Sequence, residues 1–169
     1  MARAMLVFGP ESSGTRLVTE ALIASGCDGD STHEQRWDIQ PLPDHDCVWR
    51  RSLPHGGNWP NLSKIVQTVR AAGHTPLVVV TIREHRAMIT SQYIAGHVST
   101  VEQAVQNVQR AMCEIYSCIM TEHLAYCVIP FEACVLHGRE TFRALALWAG
   151  LNADADFPVT SDQNLKHYK

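Results

Sequence analysis

Long apolar runs are missing from this sequence: no segment approaches the roughly 20 residues that a membrane-spanning helix requires, and the apolar part of MARAMLVFG is too short for a signal peptide. Charge is also scarce, since 18% of the 169 residues are charged and the net charge is −3. A weakly acidic chain has no overall positive field that holds nucleic acid. We therefore expect neither a membrane span nor a nucleic-acid partner, and any bound anion must be held locally.

Cysteine spacing excludes two further classes. The six cysteines, at positions 27, 47, 113, 118, 127 and 134, form no CxxC pair and no spacing typical of a metal site. Several lie in apolar periodic stretches, where a free thiol packs as a small hydrophobic group. We expect reduced thiols, no bound metal and a cytoplasmic protein.

Apolar runs alternate with helical periodicity along the whole chain. Strands are predicted at residues 4–8, 47–51, 75–82 and 125–131, and helices at residues 15–25, 62–73, 85–95, 101–124 and 138–151. The strand TPLVVVTI is apolar over most of its length, which indicates burial on both faces of a parallel sheet. The alternation predicts one α/β domain over residues 1–169, a three-layer sandwich with a mainly parallel sheet.

The longest predicted helix carries an apolar stripe at helical spacing. The side chains expected to face the core are Val101, Val105, Val108, Met112, Ile115 and Ile119.

One short stretch, VFGPESSGTRLV, joins the first predicted strand to the first predicted helix. Gly9 and Gly14 allow the backbone to wrap around an anion, and the first amides of a helix lack partners and carry the positive end of its dipole. The spacing GxxxxG matches the Walker A loop, but Thr15 and Arg16 follow instead of Lys and Ser or Thr. The stretch predicts an anion site that is poorly suited to a nucleoside triphosphate. A serine-rich turn without a ligand is the alternative.

A second stretch, IREHRAMITSQY, follows the strand at residues 75–82. Because ligands gather at the carboxyl ends of strands in an open α/β sheet, Arg83 is predicted to emerge near the first loop. Ser91 lies eight residues later, and both side chains can converge on one phosphate group. A solvated helix face is the alternative for this pattern.

Together the two stretches resemble the PAPS-dependent sulfotransferases, whose fold is related to that of the P-loop kinases (PAPS is 3′-phosphoadenosine 5′-phosphosulfate). GPESSGTRL is similar to the family's G-x-x-(K/R)-(S/G)-G-T-(T/R) motif for the 5′-phosphosulfate, and REHRAMITS is similar to R-D-P-R-D-x-x-x-S, which holds the 3′-phosphate. Weaker likenesses are VIPFEACVLHGRETFRALALWAGL at residues 128–151 and NLKHY at residues 164–168. The resemblance covers most of the chain.

This resemblance implies a P-loop NTPase-like, sulfotransferase-like fold. It also implies transfer of a sulfuryl group from PAPS to a hydroxyl or amine acceptor, with no metal required. The residues that it assigns to the 5′-phosphosulfate are Ser12, Ser13, Gly14, Thr15 and Arg16, and those that it assigns to the 3′-phosphate are Arg83 and Ser91.

The loop departs from the family at Ser12, where the family carries Lys or Arg. That cation stabilises the bridging oxygen as the sulfuryl group departs, and losing one such group costs roughly 10²–10³ in rate. Arg16, Arg50 and Arg51 are the residues expected to compensate, with Arg16 and Arg51 assigned as catalytic.

The second predicted strand also departs from the family's pattern. The family's K-T/S-H-L-P segment supplies a histidine as general base, but alignment on Leu-Pro places Ser52 there. His55 is the first alternative for the base because it follows the strand in a glycine-rich loop, and His33 and Glu11 are the others. The tryptophans expected to line an acceptor pocket, or to pack in the core, are Trp37, Trp49 and Trp59.

Two other functions fit the same residues. A P-loop nucleotide or small-molecule kinase with an altered loop would depend strictly on Mg²⁺-ATP. A non-catalytic nucleotide-binding or assembly protein would keep the fold without the chemistry, and the missing loop cation favours it.

Overall fold

The computed structural model describes residues 1–33 and 41–159. In chain order the elements are β1 (Arg3–Pro10), α1 (Thr15–Ala24), β2 (Cys47–Leu53), α2 (Leu62–Ala71), β3 (Thr75–Ile82), α3 (His85–Ile94), α4 (Val101–Thr121), β4 (Ala125–Pro130) and α5 (Phe131–Ala149). Within these ranges, no helix is long and apolar enough to cross a membrane.

The four strands form one sheet in the order β2-β1-β3-β4, and every neighbouring pair is parallel. Side chains alternate between the two faces of such a sheet. One face, with Leu6, Phe8 and Trp49, packs against α2 and α4, whereas the other, with Val7 and Val48, packs against α1 and α5. Helices thus cover both faces, which confirms the predicted α/β class with a parallel sheet and agrees with a three-layer sandwich.

The chain changes direction across the sheet at β1. From β1 it passes through α1 to β2 on one side, and from β2 it passes through α2 to β3 on the other side. This is a topological switch point, and in open α/β sheets ligands bind outside the carboxyl ends of the strands there. The loop that follows Pro10 lies at this point.

Helix α4 is rotated relative to the predicted stripe. Val108, Ile115 and Ile119 are buried as predicted, but Val101 is exposed and Met112 is only half-buried. The remaining core positions are Ala104, Ala111 and Cys118. The face that α4 buries thus combines these small side chains with Val108, Ile115 and Ile119.

The final helix begins earlier than predicted. The sequence predicts a strand through Phe131 and a helix from Gly138, whereas α5 starts at Phe131 and continues through a local kink at Gly138 (φ 8°, ψ −89°). The glycine interrupts the helix without ending it, because the segments on either side pack Cys134 and Phe142 into the same core.

Candidate functional site

Three residues form a row across the carboxyl end of the sheet. Ser52 on β2 pairs with Gly9 on β1, and Thr81 on β3 lies one residue beyond the pair formed by Phe8 and Val80. By strand alternation, all three residues face α1 and α5. Gly9, which has no side chain, therefore lies between the hydroxyl groups of Ser52 and Thr81, directly below the loop.

Two hydroxyl contacts fasten the loop to this row. The Ser13 and Thr81 hydroxyl oxygens are 2.7 Å apart, and those of Thr15 and Ser52 are 3.2 Å apart. Ser13 occupies the space that a side chain at Gly9 would need: a Cβ there would collide with both the Ser13 and the Thr81 hydroxyls. The hydroxyls of Ser13 and Thr15 thus hold the loop against the sheet.

The loop backbone adopts two left-handed conformations, at Ser12 (φ 70°) and Gly14 (φ 95°). Such a conformation is costly for a residue other than glycine, so Ser12 marks local strain. Successive left-handed and right-handed residues, as at Gly14 and Thr15, make a concave row of amides that suits an anion. Over the described ranges, the amides of Gly14, Thr15 and Arg16 have no hydrogen-bond acceptor.

In the described part of the chain, no side chain caps the start of α1, whose N-cap is Gly14. By contrast, side chains of Asn61, Glu84 and Thr100 cap α2, α3 and α4. The uncapped amides and the helix dipole favour a negative group at the Gly14 end of α1.

Arg83 lies beside this loop, held there by Phe131. The Arg83 guanidinium carbon is 4.3 Å from the centre of the Phe131 ring. The same ring packs on the loop, because a Cβ at Gly14 would lie 2.6 Å from the Phe131 Cδ2 atom. A single aromatic side chain thus contacts both Arg83 and Gly14.

Helix α3 also touches the loop, one residue away from Ser91. The fully buried Gln92 donates its Nε2 hydrogen to the Glu11 carbonyl at 2.9 Å. Ser91 itself is half-buried. Glu84 begins α3 by accepting hydrogen bonds from two backbone amides, which hold the pKa of its carboxyl below the usual value.

Glu11 is a buried carboxylate within the loop. Its amide donates to the Leu53 carbonyl at 3.1 Å, and its Oε1 atom is 3.2 Å from His97 Nδ1. Its Oε2 atom is buried and has no hydrogen-bond partner in the described part of the chain. Glu11 therefore places a buried carboxyl group, paired with His97, within the loop.

The three candidate compensating cations lie in different places. Arg16 is exposed and pairs with Glu20 one turn along α1, with 3.1 Å between Nε and Oε1. By strand alternation Arg50 shares a face with Ser52, towards α1, whereas Arg51 faces α2. Both arginines on β2 are buried.

The three candidate bases also differ in their surroundings. His55 is exposed in a tight turn, where its backbone exchanges two hydrogen bonds with Asn58, at 2.8 and 2.9 Å. His33 is exposed and lies 3.2 Å from the Asp30 carboxylate. His55 is exposed just after the carboxyl end of β2, whereas Glu11 is buried within the loop.

The predicted tryptophans divide between core and surface. Trp49 is fully buried on β2, and the half-buried Trp59 has the Arg110 guanidinium carbon 3.8 Å from the centre of its ring. Trp37 and the basic segment at residues 164–168 lie outside the described residues.

Sequence reasoning missed three residues of the site: Thr81, Gln92 and Phe131. Each reaches the loop only through tertiary contact. Thr81 carries a signal that points to it, since it is a polar residue near the carboxyl end of an otherwise apolar strand. Gln92 and Phe131 carry none.

No family model matches this sequence, and no curated protein shows significant similarity to it.

Proposed function

We propose that this protein binds PAPS at the loop between β1 and α1 and transfers its sulfuryl group to a hydroxyl or amine acceptor. One observation carries the proposal: the loop is fastened at the switch point of the sheet through Ser13 and Thr15, and its amides at Gly14 to Arg16 are unpaired over the described ranges. The likeness of this loop and of the Arg83 segment to the sulfotransferase motifs supports a sulfated nucleotide as the ligand.

In this proposal the two ends of the nucleotide lie on different elements. The residues that hold the 5′-phosphosulfate are Ser12, Ser13, Gly14, Thr15 and Arg16. Arg83 and Ser91 hold the 3′-phosphate. The Phe131 ring supports this division, because it contacts both Gly14 and the Arg83 guanidinium and so fixes the cation beside the loop.

The transfer is an in-line displacement at sulfur. The acceptor oxygen or nitrogen forms a bond to sulfur while the bond from sulfur to the bridging phosphate oxygen breaks, and adenosine 3′,5′-bisphosphate (PAP) leaves. His55 accepts the proton of the acceptor. The loop amides stabilise the charge that develops on the departing phosphate.

In this proposal Arg16 reaches the phosphosulfate only after its side chain separates from Glu20. This exposed ion pair contributes only about 0.2–1 kcal/mol, so separating it costs little. Arg51 faces α2 and is placed in this proposal beside the acceptor.

Substitution of Arg83 tests the nucleotide assignment. A charge-assisted phosphate contact contributes about 1.5–3 kcal/mol, so Arg83→Ala should weaken PAP binding by about 10- to 150-fold. AMP lacks the 3′-phosphate, and its affinity should change little. Arg86→Ala is the matched control, because Arg86 is an exposed arginine in the first turn of α3. Equal losses for PAP and AMP, or equal effects of the two substitutions, would contradict the assignment.

A non-catalytic nucleotide-binding protein is the second function that a specific observation favours. Ser12 replaces the family's loop cation, and Arg16 is paired with Glu20. PAP binding without any transfer from PAPS to a range of hydroxyl and amine acceptors would identify this function.

A further inference from the structure

A cavity of about 350 Å³ lies between helix α5 and the segment at residues 155–159. Small-molecule sites in proteins have volumes of about 300–1,000 Å³ and mostly apolar walls. This cavity has the volume of such a site, and none of its lining residues belongs to the loop between β1 and α1 or to the strands that hold it. The residues that line it include Val135, Gly138, Arg139, Ala155, Asp156 and Phe157.

The kink of α5 forms one wall of this cavity. At Gly138 the backbone leaves the helical conformation, and across the kink the Thr141 hydroxyl donates a hydrogen bond to the Ala133 carbonyl at 3.0 Å. Eight residues of a straight helix span about 12 Å, so this hydrogen bond requires the bend at the glycine and holds it. A Cβ at Gly138 would meet no atom within 4 Å, so the glycine adds no bulk to this wall.

The opposite wall is anchored to the rest of the fold. Ala155 and Phe157 are buried, and the ring centres of Phe157 and Phe142 are 5.8 Å apart. Just before this segment, the Asn152 amide donates a hydrogen bond to the Ser25 carbonyl at 3.2 Å. Packing and hydrogen bonds therefore fix the separation of the two walls.

Two opposite charges line the cavity. Arg139 and Asp156 are the charged residues of its lining, and both are exposed, which places them at its rim. A neighbouring ion pair joins Arg143 to Asp154, with 3.9 Å between Nη2 and Oδ1. Within the described ranges, however, Arg139 and Asp156 pair neither with each other nor with another charge. A ligand that carries both a carboxylate and an ammonium group would pair with both of them.

We propose that this cavity binds a free α-amino acid with an apolar side chain. The carboxylate of the ligand pairs with Arg139 and its ammonium group pairs with Asp156. Its side chain lies against Val135 and Phe157. A cavity of about 150 Å³ accommodates a benzene ring, so one of about 350 Å³ holds the ring and the two charged groups of phenylalanine. The proposed sulfuryl transfer plays no part in this inference.

Titration with L-phenylalanine, followed by backbone-amide chemical shifts, tests the cavity directly. We expect saturable shifts at the amides of Gly138 and Phe157. The matched ligands are hydrocinnamate, which lacks the ammonium group, and phenethylamine, which lacks the carboxylate. Each should bind about two- to fivefold more weakly than L-phenylalanine, because an ion pair at an exposed rim is partly screened.

Substitution of each charge should act on one end of the ligand. Arg139→Gln should weaken L-phenylalanine and hydrocinnamate by about two- to fivefold and leave phenethylamine no weaker, whereas Asp156→Asn should weaken L-phenylalanine and phenethylamine but not hydrocinnamate. Arg143→Gln is the matched control, because Arg143 is exposed on the same helix and does not line the cavity. Equal effects of Arg139→Gln and Arg143→Gln would overturn the proposal.

A third variant fills the cavity without changing its charge. Val135 is half-buried in the cavity wall, so Val135→Trp should abolish binding of all three compounds. Leu136→Trp is its matched control, since Leu136 is exposed and does not line the cavity. Binding that survives Val135→Trp, equal affinity for the three compounds, or no chemical-shift change up to millimolar concentrations would overturn the proposal. If Val135→Trp does not fold, the ranking of the three compounds on the wild-type protein decides the question.

Discussion

The substitution Gly9→Ala tests the architecture of the loop most sharply. A Cβ at this position would collide with the hydroxyls of Ser13 and Thr81 and would lie 2.7 Å from the Thr81 carbonyl oxygen. The hydroxyls can rotate away, but the carbonyl belongs to β3 and cannot. Either β1 and β3 must separate or the loop must rise from the sheet.

The expected cost follows from these contacts. Overpacking of a close-packed site costs about 1–3 kcal/mol, and loss of the buried Ser13–Thr81 hydrogen bond adds about 0.5–1.5 kcal/mol. For a domain of this size, each kcal/mol lowers the melting temperature by about 2–4 °C, so we expect a decrease of about 5–15 °C by calorimetry. A raised loop also loses contacts with the nucleotide, and PAP affinity should fall by about tenfold or more.

Gly73→Ala is the control for a general loss of stability. Gly73 follows α2 with a φ of 80°, and a Cβ there meets no atom within 4 Å. Its substitution costs about 1–2 kcal/mol of backbone strain, far from the loop, and should leave PAP affinity unchanged. A Gly9→Ala protein with the wild-type melting temperature would refute the close approach of the loop to β3. A less stable Gly9→Ala protein with unchanged PAP affinity would refute the loop as the anion site.

Two further predictions concern ionisable groups away from the loop. The hydrogen bond and charge of Arg3 lower the pKa of Asp46, so the pair stabilises the fold above the ordinary aspartate pKa of about 4 and loses this contribution as the pH falls below it. Asp46→Asn should therefore lower the melting temperature more at pH 7 than at a pH below the ordinary aspartate pKa, and an equal difference at both pH values would contradict the pairing. Burial raises the pKa of Cys27, Cys47, Cys127 and Cys134 to about 12, whereas Cys113 is exposed. A thiol reagent at neutral pH should label Cys113 first, and Cys113→Ser should remove the fast phase; a fast phase that survives this substitution would contradict the burial of the other thiols.

The strands are the part of the fold that the sequence predicts best. β1, β3 and β4 are short apolar runs, and β3 in particular, TPLVVVTI, is apolar over most of its length. Helix ends and helix faces were predicted less well, because they depend on partners. Val101 has the right spacing for the stripe but extends beyond the neighbouring core, and Gly138 interrupts a helix that packing on both sides maintains.

The candidate site, too, was predicted only in part from the sequence. Gly9, Ser13 and Gly14 belong to one local stretch whose glycine spacing is visible in the sequence. The partners that hold this stretch, Ser52 and Thr81, follow from the register of three parallel strands, which the sequence does not specify. The directions of the arginines also depend on register, because a shift of one residue would exchange the faces on which Arg50 and Arg51 lie.

The most direct test of the central claim is a calorimetric titration of the purified protein with PAP in the absence of metal, with Mg²⁺-ATP as the comparison. The account predicts micromolar binding of PAP, a free energy of about −8 kcal/mol, and weak binding of Mg²⁺-ATP. Tight binding of Mg²⁺-ATP without preference for PAP would contradict it and identify a kinase-like site, and the absence of binding by either nucleotide would contradict a nucleotide site at this loop.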